Sequence, residues 1–264
     1  MPEADIESDF QLLRQTARVA GQIALSYFGK RPEVWMKAGN SPVSEADYAV
    51  DRYLRESLMA ARPDYGWLSE ETADTAARLS ARRTFVVDPI DGTRAFVDGV
   101  DLWCVSVAVV EEGRSIAGVL DCPARGECFW AMKGTGAWRD GTPLRVRAAA
   151  EQMLVAGPKP MMDCLPAAWQ TRLKRHPYVP SLAYRIAKIA EGSLDATFVK
   201  ANAHDWDIAA ASLILEEAGG RIAGPTGTIP PFASATVSHG PLAAGSGPLL
   251  DAMVACLPVP TGAA

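Results

Sequence analysis

Six residues, Asp88-Pro89-Ile90-Asp91-Gly92-Thr93, constrain what this chain can fold into more than any other stretch. They follow the β-branched, aromatic run Thr84-Phe85-Val86-Val87, which places them at the mouth of a buried strand. Pro89 fixes its own φ and pushes Asp88 towards an extended conformation, and Gly92 tolerates a tight turn. Asp91 can therefore fold back to bring its carboxylate beside that of Asp88. Two carboxylates held so close repel unless a cation lies between them. Mg2+ is the natural partner, because it takes oxygen ligands of this kind and keeps part of its water shell. Beyond the turn the Gly92 and Thr93 N–H groups open a helix, and free N–H groups at a helix start attract an anion. The stretch predicts one shared address for metal and phosphate.

The same six residues, preceded by Glu70-Glu71 and followed far downstream by Trp206-Asp207, resemble the motifs of the inositol monophosphatase family of metal-dependent phosphatases. Three motifs in the family's order and approximate spacing carry the resemblance, which runs over nearly the whole chain. It implies an α+β, or α/β, fold: the layered α-β-α-β-α sandwich of the sugar-phosphatase type. It implies a phosphomonoesterase with two or three Mg2+ ions held by Glu70, Asp88, Asp91, Asp207 and the Ile90 carbonyl. In that scheme Glu70 and Thr93 activate a water for direct attack on phosphorus, Asp47 orients Thr93, and the Gly92 and Thr93 N–H groups hold the phosphate oxygens. No serine or cysteine nucleophile is required. The resemblance and the apolar, tryptophan-bearing strands together favour a homodimer.

The chain has 264 residues, 48% hydrophobic and 22% charged, enough for one large domain or two intimate ones. A shift to Ala148-Ala149-Ala150 and the proline-rich stretch from Pro158 to Pro166 mark a seam. Residues 1–148 then carry helices, an antiparallel sheet and most of the metal ligands, and residues 149–264 form an α/β half that completes the site. A net charge of −5 and a pI near 5.3 argue against nucleic-acid polymers and anionic membranes, which need a basic face. A small phosphorylated metabolite is the expected partner. The five cysteines are odd in number and form no C-x-x-C pair, so reduced core thiols are expected. Residues 1–9 are acidic and polar, and no apolar run is long enough to span a bilayer, which makes the cytoplasm the default location.

Along the chain, Phe10, Leu13, Ala17, Ala20, Ala24 and Tyr27 recur at steps of three and four, one face of an amphipathic helix that stops near Gly29. Lys37 precedes a Gly39-Asn40-Ser41-Pro42 turn, which the resemblance places as a loop able to reach over the site; a surface lysine is otherwise solvated. Ser44 to Asp47 reads as a capping box opening a second helix, with Asp47 and Asp51 one turn apart. A short strand, Trp67-Leu68-Ser69, delivers Glu70-Glu71; residues 73–83 read as a surface connection or short helix. Strands follow at Trp103 to Val110, Ser115 to Leu120, Cys128 to Met132 and Leu144 to Val146, with a hairpin turn at Glu111 to Arg114. Later strands are expected at Leu154 to Ala156, Ala196 to Val199, Arg221 to Ala223, Thr236-Val237 and Leu242 to Ala244. Helices are expected at Leu182 to Ala190, at Asp207 to Ala218 and from Pro248. The Arg172-Lys174-Arg175-His176 cluster reads as a solvated face.

An acid at a helix start, such as Asp207, is ordinarily a favourable charge on the helix dipole. Here the helix behind it is almost wholly apolar and hence buried, and a buried acid needs a cation or donors. Asp205 is the rival; the family motif aligns on the residue after tryptophan. His204 reads as a packing residue, since a hard cation prefers oxygen.

Asp88 to Gly92 lacks the spacing and closing glutamate of an EF-hand calcium loop. A catalytically idle, metabolite-binding regulator is the non-enzyme alternative. Within the superfamily, inositol monophosphates, 3'(2'),5'-bisphosphate nucleotides and histidinol phosphate are all hydrolysed. Ala95 stands where inositol enzymes usually carry asparagine and is similar to the histidinol phosphatases, whereas Trp206 is similar to the inositol type. Lys200 stands where inositol-specific relatives carry a glutamate, so at the pocket rim it would attract a second phosphate or carboxylate; as a solvated strand end it would do nothing.

Overall fold

In the computed structural model, which describes residues 2–37, 42–148 and 150–258, the face of Phe10, Leu13, Ala17, Ala20 and Ala24 is buried on helix α1 (Pro2–Tyr27). A ribbon of β1 (Val34–Met36) and β2 (Pro42–Ser44) leads into helix α2 (Glu45–Ala61). Seven strands then build one sheet in chain order: β3 (Gly66–Ser69), β4 (Arg83–Asp91), β5 (Cys104–Glu111), β6 (Arg114–Cys122), β7 (Glu127–Met132), β8 (Ala137–Arg139) and β9 (Thr142–Pro143). Helix α3 (Thr93–Val97) lies between β4 and β5. Only β3 and β4 run parallel; the other neighbours are antiparallel.

The remaining elements are β10 (Met153–Ala156), α4 (Lys159–Asp163), α5 (Ala167–Gln170), β11 (Leu173–Arg175), α6 (Leu182–Ala190), β12 (Ala196–Val199), β13 (Ala203–His204) and α7 (Asp205–Glu217), then β14 (Arg221–Ala223), β15 (Ser238–His239), β16 (Leu242–Gly245) and α8 (Gly247–Ala255). Five of these strands form a second, mixed sheet in the order β11-β10-β12-β16-β14, and β13 pairs with β15. The change from one sheet to the other falls between Pro143 and Met153.

Alternation along β4 sorts the core. Phe85 and Val87 join the cluster made with α1 and α2, whereas Val86 joins the cluster made with α6 and α7. That second cluster also takes Val199, Ile222 and Ala244 from the other sheet, so α6 and α7 form a layer between two sheets. The outer face of the second sheet packs Val155, Phe198 and Ala243 against Leu249, Leu250 and Met253 of α8. The result is α-β-α-β-α, the expected fold class. Helix α7 is sandwiched, which explains why Ile208 to Leu215 are buried without a polar face. Its approach to β6 is close: a Cβ at Gly118 would lie 3.0 Å from Ala210 Cα and 3.1 Å from Ala210 O.

Several local expectations need correction. Leu144 to Val146 is not a strand; the pairing falls on Thr142–Pro143, and Leu144 is buried after it. The short strand expected at Thr236-Val237 lies at Ser238–His239. Helix α7 begins at Asp205, not Asp207. The basic cluster at 172–176 contributes the edge strand β11. Cys104 and Cys122 are the buried thiols expected, but Cys164 is exposed. The turn at 39–41 and Ala149 lie outside the described residues.

Candidate active site

The site forms where β4 stops being regular. Ser69 pairs with Val87, so Glu70, whose N–H donates to the Val87 carbonyl at 3.3 Å, leaves the sheet beside Asp88. On the other side β4 pairs with β5 as far as Asp88 opposite Ser106, slips by one residue, and resumes with Asp91 opposite Cys104. In the gap Asp88 Oδ1 accepts the Ile90 N–H at 3.0 Å, a local turn that calls for no N–H from Pro89, which has none. Such a bulge re-aims side chains. Gly92 is required here twice over: its φ is +97°, and a Cβ would meet Leu102 O at 3.0 Å and Ser181 Cβ at 3.2 Å.

Asp207 arrives from α7. As the third residue of that helix it accepts the N–H of the N-cap residue His204 on Oδ2 at 2.7 Å. One carboxylate oxygen each from Asp88, Asp91 and Asp207 lies within 4.8 Å of the others. Asp205 is fully buried elsewhere: the Ala233 N–H donates to it at 2.7 Å and His239 Nε2 lies 2.6 Å from it, so it takes no part in the cluster. His204 stacks on Trp206, ring centroids 4.6 Å apart.

Asp91 has a second set of partners. Ser181 Oγ donates to it at 2.5 Å, the Ala183 N–H at 2.7 Å and the Leu182 N–H at 3.3 Å, which seats its carboxylate on the first turn of α6. Thr93 Oγ1 lies 3.1 Å from Asp47 Oδ1 and 3.0 Å from the Ile90 carbonyl. Asp47 in turn accepts both the N–H and the hydroxyl of Ser44, at 2.8 and 2.6 Å. The capping position and the contact with Thr93 therefore use the two oxygens of one carboxylate.

Glu70 is not part of the tight cluster. Its carboxylate pairs with Lys37 Nζ at 2.7 Å, and the same ammonium lies 2.8 Å from Glu71. Burial pulls against the Lys37 charge, but the facing Glu70 and Glu71 carboxylates raise its pKa above the usual lysine value. Asp51 braces the loop beneath: it accepts the Ser69 and Thr72 hydroxyls, and Ser69 Oγ accepts the Glu71 N–H at 3.3 Å.

Burial and mutual repulsion dominate the electrostatics. Asp88 is raised well above the ordinary carboxylate range by burial and then by the charges of Glu70, Asp91 and Asp207. Asp207 is likewise raised, by burial and then by Asp91. Burial lifts Asp91 to about 6 against its hydrogen bonds from Ser181, Ala183 and Leu182, and it lifts Asp47 to about 6 and Glu71 to about 7. Among the described residues no lysine or arginine forms an ion pair with Asp88, Asp91 or Asp207. An all-oxygen donor set with unbalanced negative charge fits a hard divalent cation.

Two cavities meet here. One of about 210 Å3 is lined by Glu70, Asp88, Asp91, Thr93 and Asp207. Its neighbour, of about 360 Å3, shares Tyr178, Pro180 and Asp207 with it. Lys200, exposed just after β12, lines the second cavity and not the first. Ser181 and the pairing of Lys37 with Glu70 escaped sequence reasoning; Ser181 was detectable only as a serine before a helical run.

A model of the inositol monophosphatase family matches residues 5–257. A protein named glucose-1-phosphate thymidylyltransferase, from Streptomyces griseus, is 34% identical over 228 residues, covering 83% of this chain and 86% of its own. An inositol-1-monophosphatase from Rhizobium meliloti is 30% identical, with 81% and 82% covered. A histidinol-phosphatase from Mycobacterium tuberculosis is 32% identical, with 75% and 80% covered. Among solved structures, the Thermotoga maritima IMPase superposes with a TM-score of 0.80 at 27% identity, over 95% of this chain and 96% of that one.

Proposed function

The chain belongs to the inositol monophosphatase family and is an enzyme of phosphate-ester hydrolysis, and from that premise we propose that it is a Mg2+-dependent phosphomonoesterase acting on a small ester such as inositol monophosphate. The convergence of Asp88, Asp91 and Asp207 on one point, with no ion pair to a lysine or arginine among the described residues, carries the reading. Asp88, Asp91, Asp207, Glu70 and the Ile90 carbonyl would hold two or three Mg2+ ions. Bound there, Mg2+ supplies Lewis-acid polarisation of the phosphoryl group and a lowered water pKa.

The chain's own residues do the rest. Thr93 directs its proton to Asp47 or the Ile90 carbonyl, which leaves its oxygen free to accept from the attacking water, and Glu70 takes up the proton. Asp47 acts through Thr93 as a positioning residue. The Gly92 and Thr93 N–H groups receive the non-bridging phosphate oxygens, meeting the transition-state charge with fixed dipoles. Lys37 must release Glu70 when a metal competes for that carboxylate.

Phosphate release with Mg2+ from inositol 1-phosphate, a 3',5'-bisphosphate nucleotide and histidinol phosphate tests the reading. Turnover of at least one is expected; none at all would overturn it. Glucose 1-phosphate with and without dTTP separates the activity named for the Streptomyces griseus relative. Residues 1–148 and 149–264 are taken as the two halves sharing the site. No helix among the described residues is long and apolar enough to cross a membrane, and the reading places the enzyme in the cytoplasm. The reading takes the enzyme to be a homodimer. Sedimentation should give twice the 28.1 kDa of one chain, and a single-chain mass at micromolar concentration would refute it.

A further inference from the structure

We propose that Cys164 and Cys256 form a redox-active dithiol on the outer face of the second sheet, which a small disulfide oxidises to an intramolecular bond tying helix α4 to helix α8. The reduced core thiols expected of this chain are Cys104 and Cys122; Cys164 is exposed and Cys256 half-buried, so these two meet solvent.

Ninety-two residues separate the two cysteines, yet their turns meet. Cys164 is the C-cap residue of α4 and Cys256 that of α8. Each precedes a leucine, Leu165 or Leu257, and both leucines are buried in one apolar cluster with Met162, Leu249, Leu250 and Met253. That shared cluster holds the two turns side by side. Cys256 Sγ donates to the Cys164 carbonyl at 3.1 Å, and Cys164 Sγ donates to the Pro160 carbonyl one turn back at 3.3 Å. Gln170 caps the carbonyls on either side, those of Asp163 and Leu165, at 2.9 and 2.7 Å, which fixes the backbone of the turn. A carbonyl oxygen is two bonds from its own Cα, so the Cys256 sulfur lies within about 6 Å of the Cys164 Cα. A disulfide spans Cα atoms up to about 7 Å apart, and rotation of the Cys164 side chain out of its bond to Pro160 is the movement that closes it.

Exposure divides the roles. Only the thiolate attacks a disulfide, and the more open sulfur meets the oxidant first, which makes Cys164 the attacking group. Burial, and then the neighbouring Cys164, raise the pKa of Cys256, so it waits as a thiol beside its target. Cys164 loses its proton to water and attacks one sulfur of the oxidant; the oxidant's S–S bond breaks, and one small thiolate leaves. Cys256 then gives up its proton and attacks the Cys164 sulfur, which breaks the mixed disulfide and expels the second small thiolate. The two thiolates take up the two protons, so two protein thiols are oxidised and one small disulfide is reduced to two thiols. Cys104 and Cys122 also touch, but both are fully buried and burial pushes the Cys122 thiol well up, which keeps that pair out of the exchange. In a compartment poised by glutathione such a bond is reversible and responsive, not a permanent brace.

Glutathione disulfide, added to the full-length protein and compared with reduced glutathione, is the probe. The intact mass should fall by two hydrogens, peptide mapping should join the segments that hold Cys164 and Cys256, and Cys104 and Cys122 should remain alkylatable after unfolding. Cys256→Ser should stop at the mixed disulfide on Cys164, whereas Cys164→Ser should take up glutathione roughly tenfold more slowly than wild type. Closing a loop of ninety-two residues should raise the Tm of the wild type by on the order of 5 °C, a shift reversed by dithiothreitol and absent in Cys164→Ser. Free thiols, or separate glutathione adducts, at both positions in wild type held in excess oxidant would overturn the proposal, as would a cross-link to Cys128 or between two chains. A linked protein with an unchanged Tm would refute the tether between the helices.

Discussion

Asp91 belongs to two structures at once: it points into the carboxylate cluster and it receives the first turn of α6 through Ser181 and Ala183. Those donors favour its charged form, yet burial still holds its pKa up at about 6, and Asp88 and Asp207 are raised more strongly. The metal-free cluster therefore retains protons near neutrality that a divalent cation must expel. The sign follows: Mg2+ affinity is weakened as pH falls through the raised values, and binding near pH 7 releases protons. Calorimetry in two buffers of different ionisation enthalpy should detect that release. A heat independent of buffer, with affinity flat between about pH 6 and pH 8, would contradict it. Much of this was legible at Asp88 to Thr93, because Pro89 and Gly92 dictate the turn locally. The seat of Asp91 was not legible, since Ser181 lies ninety residues away and only the folded chain brings it near.

At the scale of elements, α7 sets the position of Asp207 by packing against both sheets, and Gly118 is where β6 lets it come close. Gly118→Ala should destabilise the protein by about 1–3 kcal/mol, because the new Cβ meets backbone atoms of Ala210 that cannot rotate away. The same shift of α7 should raise the Mg2+ concentration needed for half-maximal activity. Urea denaturation and a Mg2+ titration check both. Unchanged or increased stability, the usual gain of roughly 0.4–1 kcal/mol when alanine replaces glycine without strain, would show that the contact does not limit the packing. Helix α6 was legible at its true limits because Gly192 ends it, whereas the Ser181 cap at its start is seen only in the structure. The strands at Thr142–Pro143 and Ser238–His239 were missed, since two residues carry no period. Strand β11 was hidden by its charge: as an edge strand it can carry Lys174 and Arg175 in the open.

For the whole molecule, the layered order is what the family resemblance implies, and the site exists only where the layers meet. Glu70 comes from the end of β3, Asp88 and Asp91 from β4, Asp207 from α7, and the clamp on Asp91 from α6. On the proposed reading, a chain of net charge −5 would gather its anionic substrate through local cations, not a basic surface. The central claim is that the cluster works as a metal centre for phosphate-ester hydrolysis. Phosphate release from inositol 1-phosphate and the other esters, followed against Mg2+ concentration in wild type and in Asp91→Asn, tests it most directly. The account predicts that chelation abolishes wild-type activity, that added Mg2+ restores it, and that Asp91→Asn keeps the fold by circular dichroism while losing nearly all turnover even at saturating Mg2+. Wild-type rates that persist through chelation, or near wild-type turnover in Asp91→Asn, would contradict it.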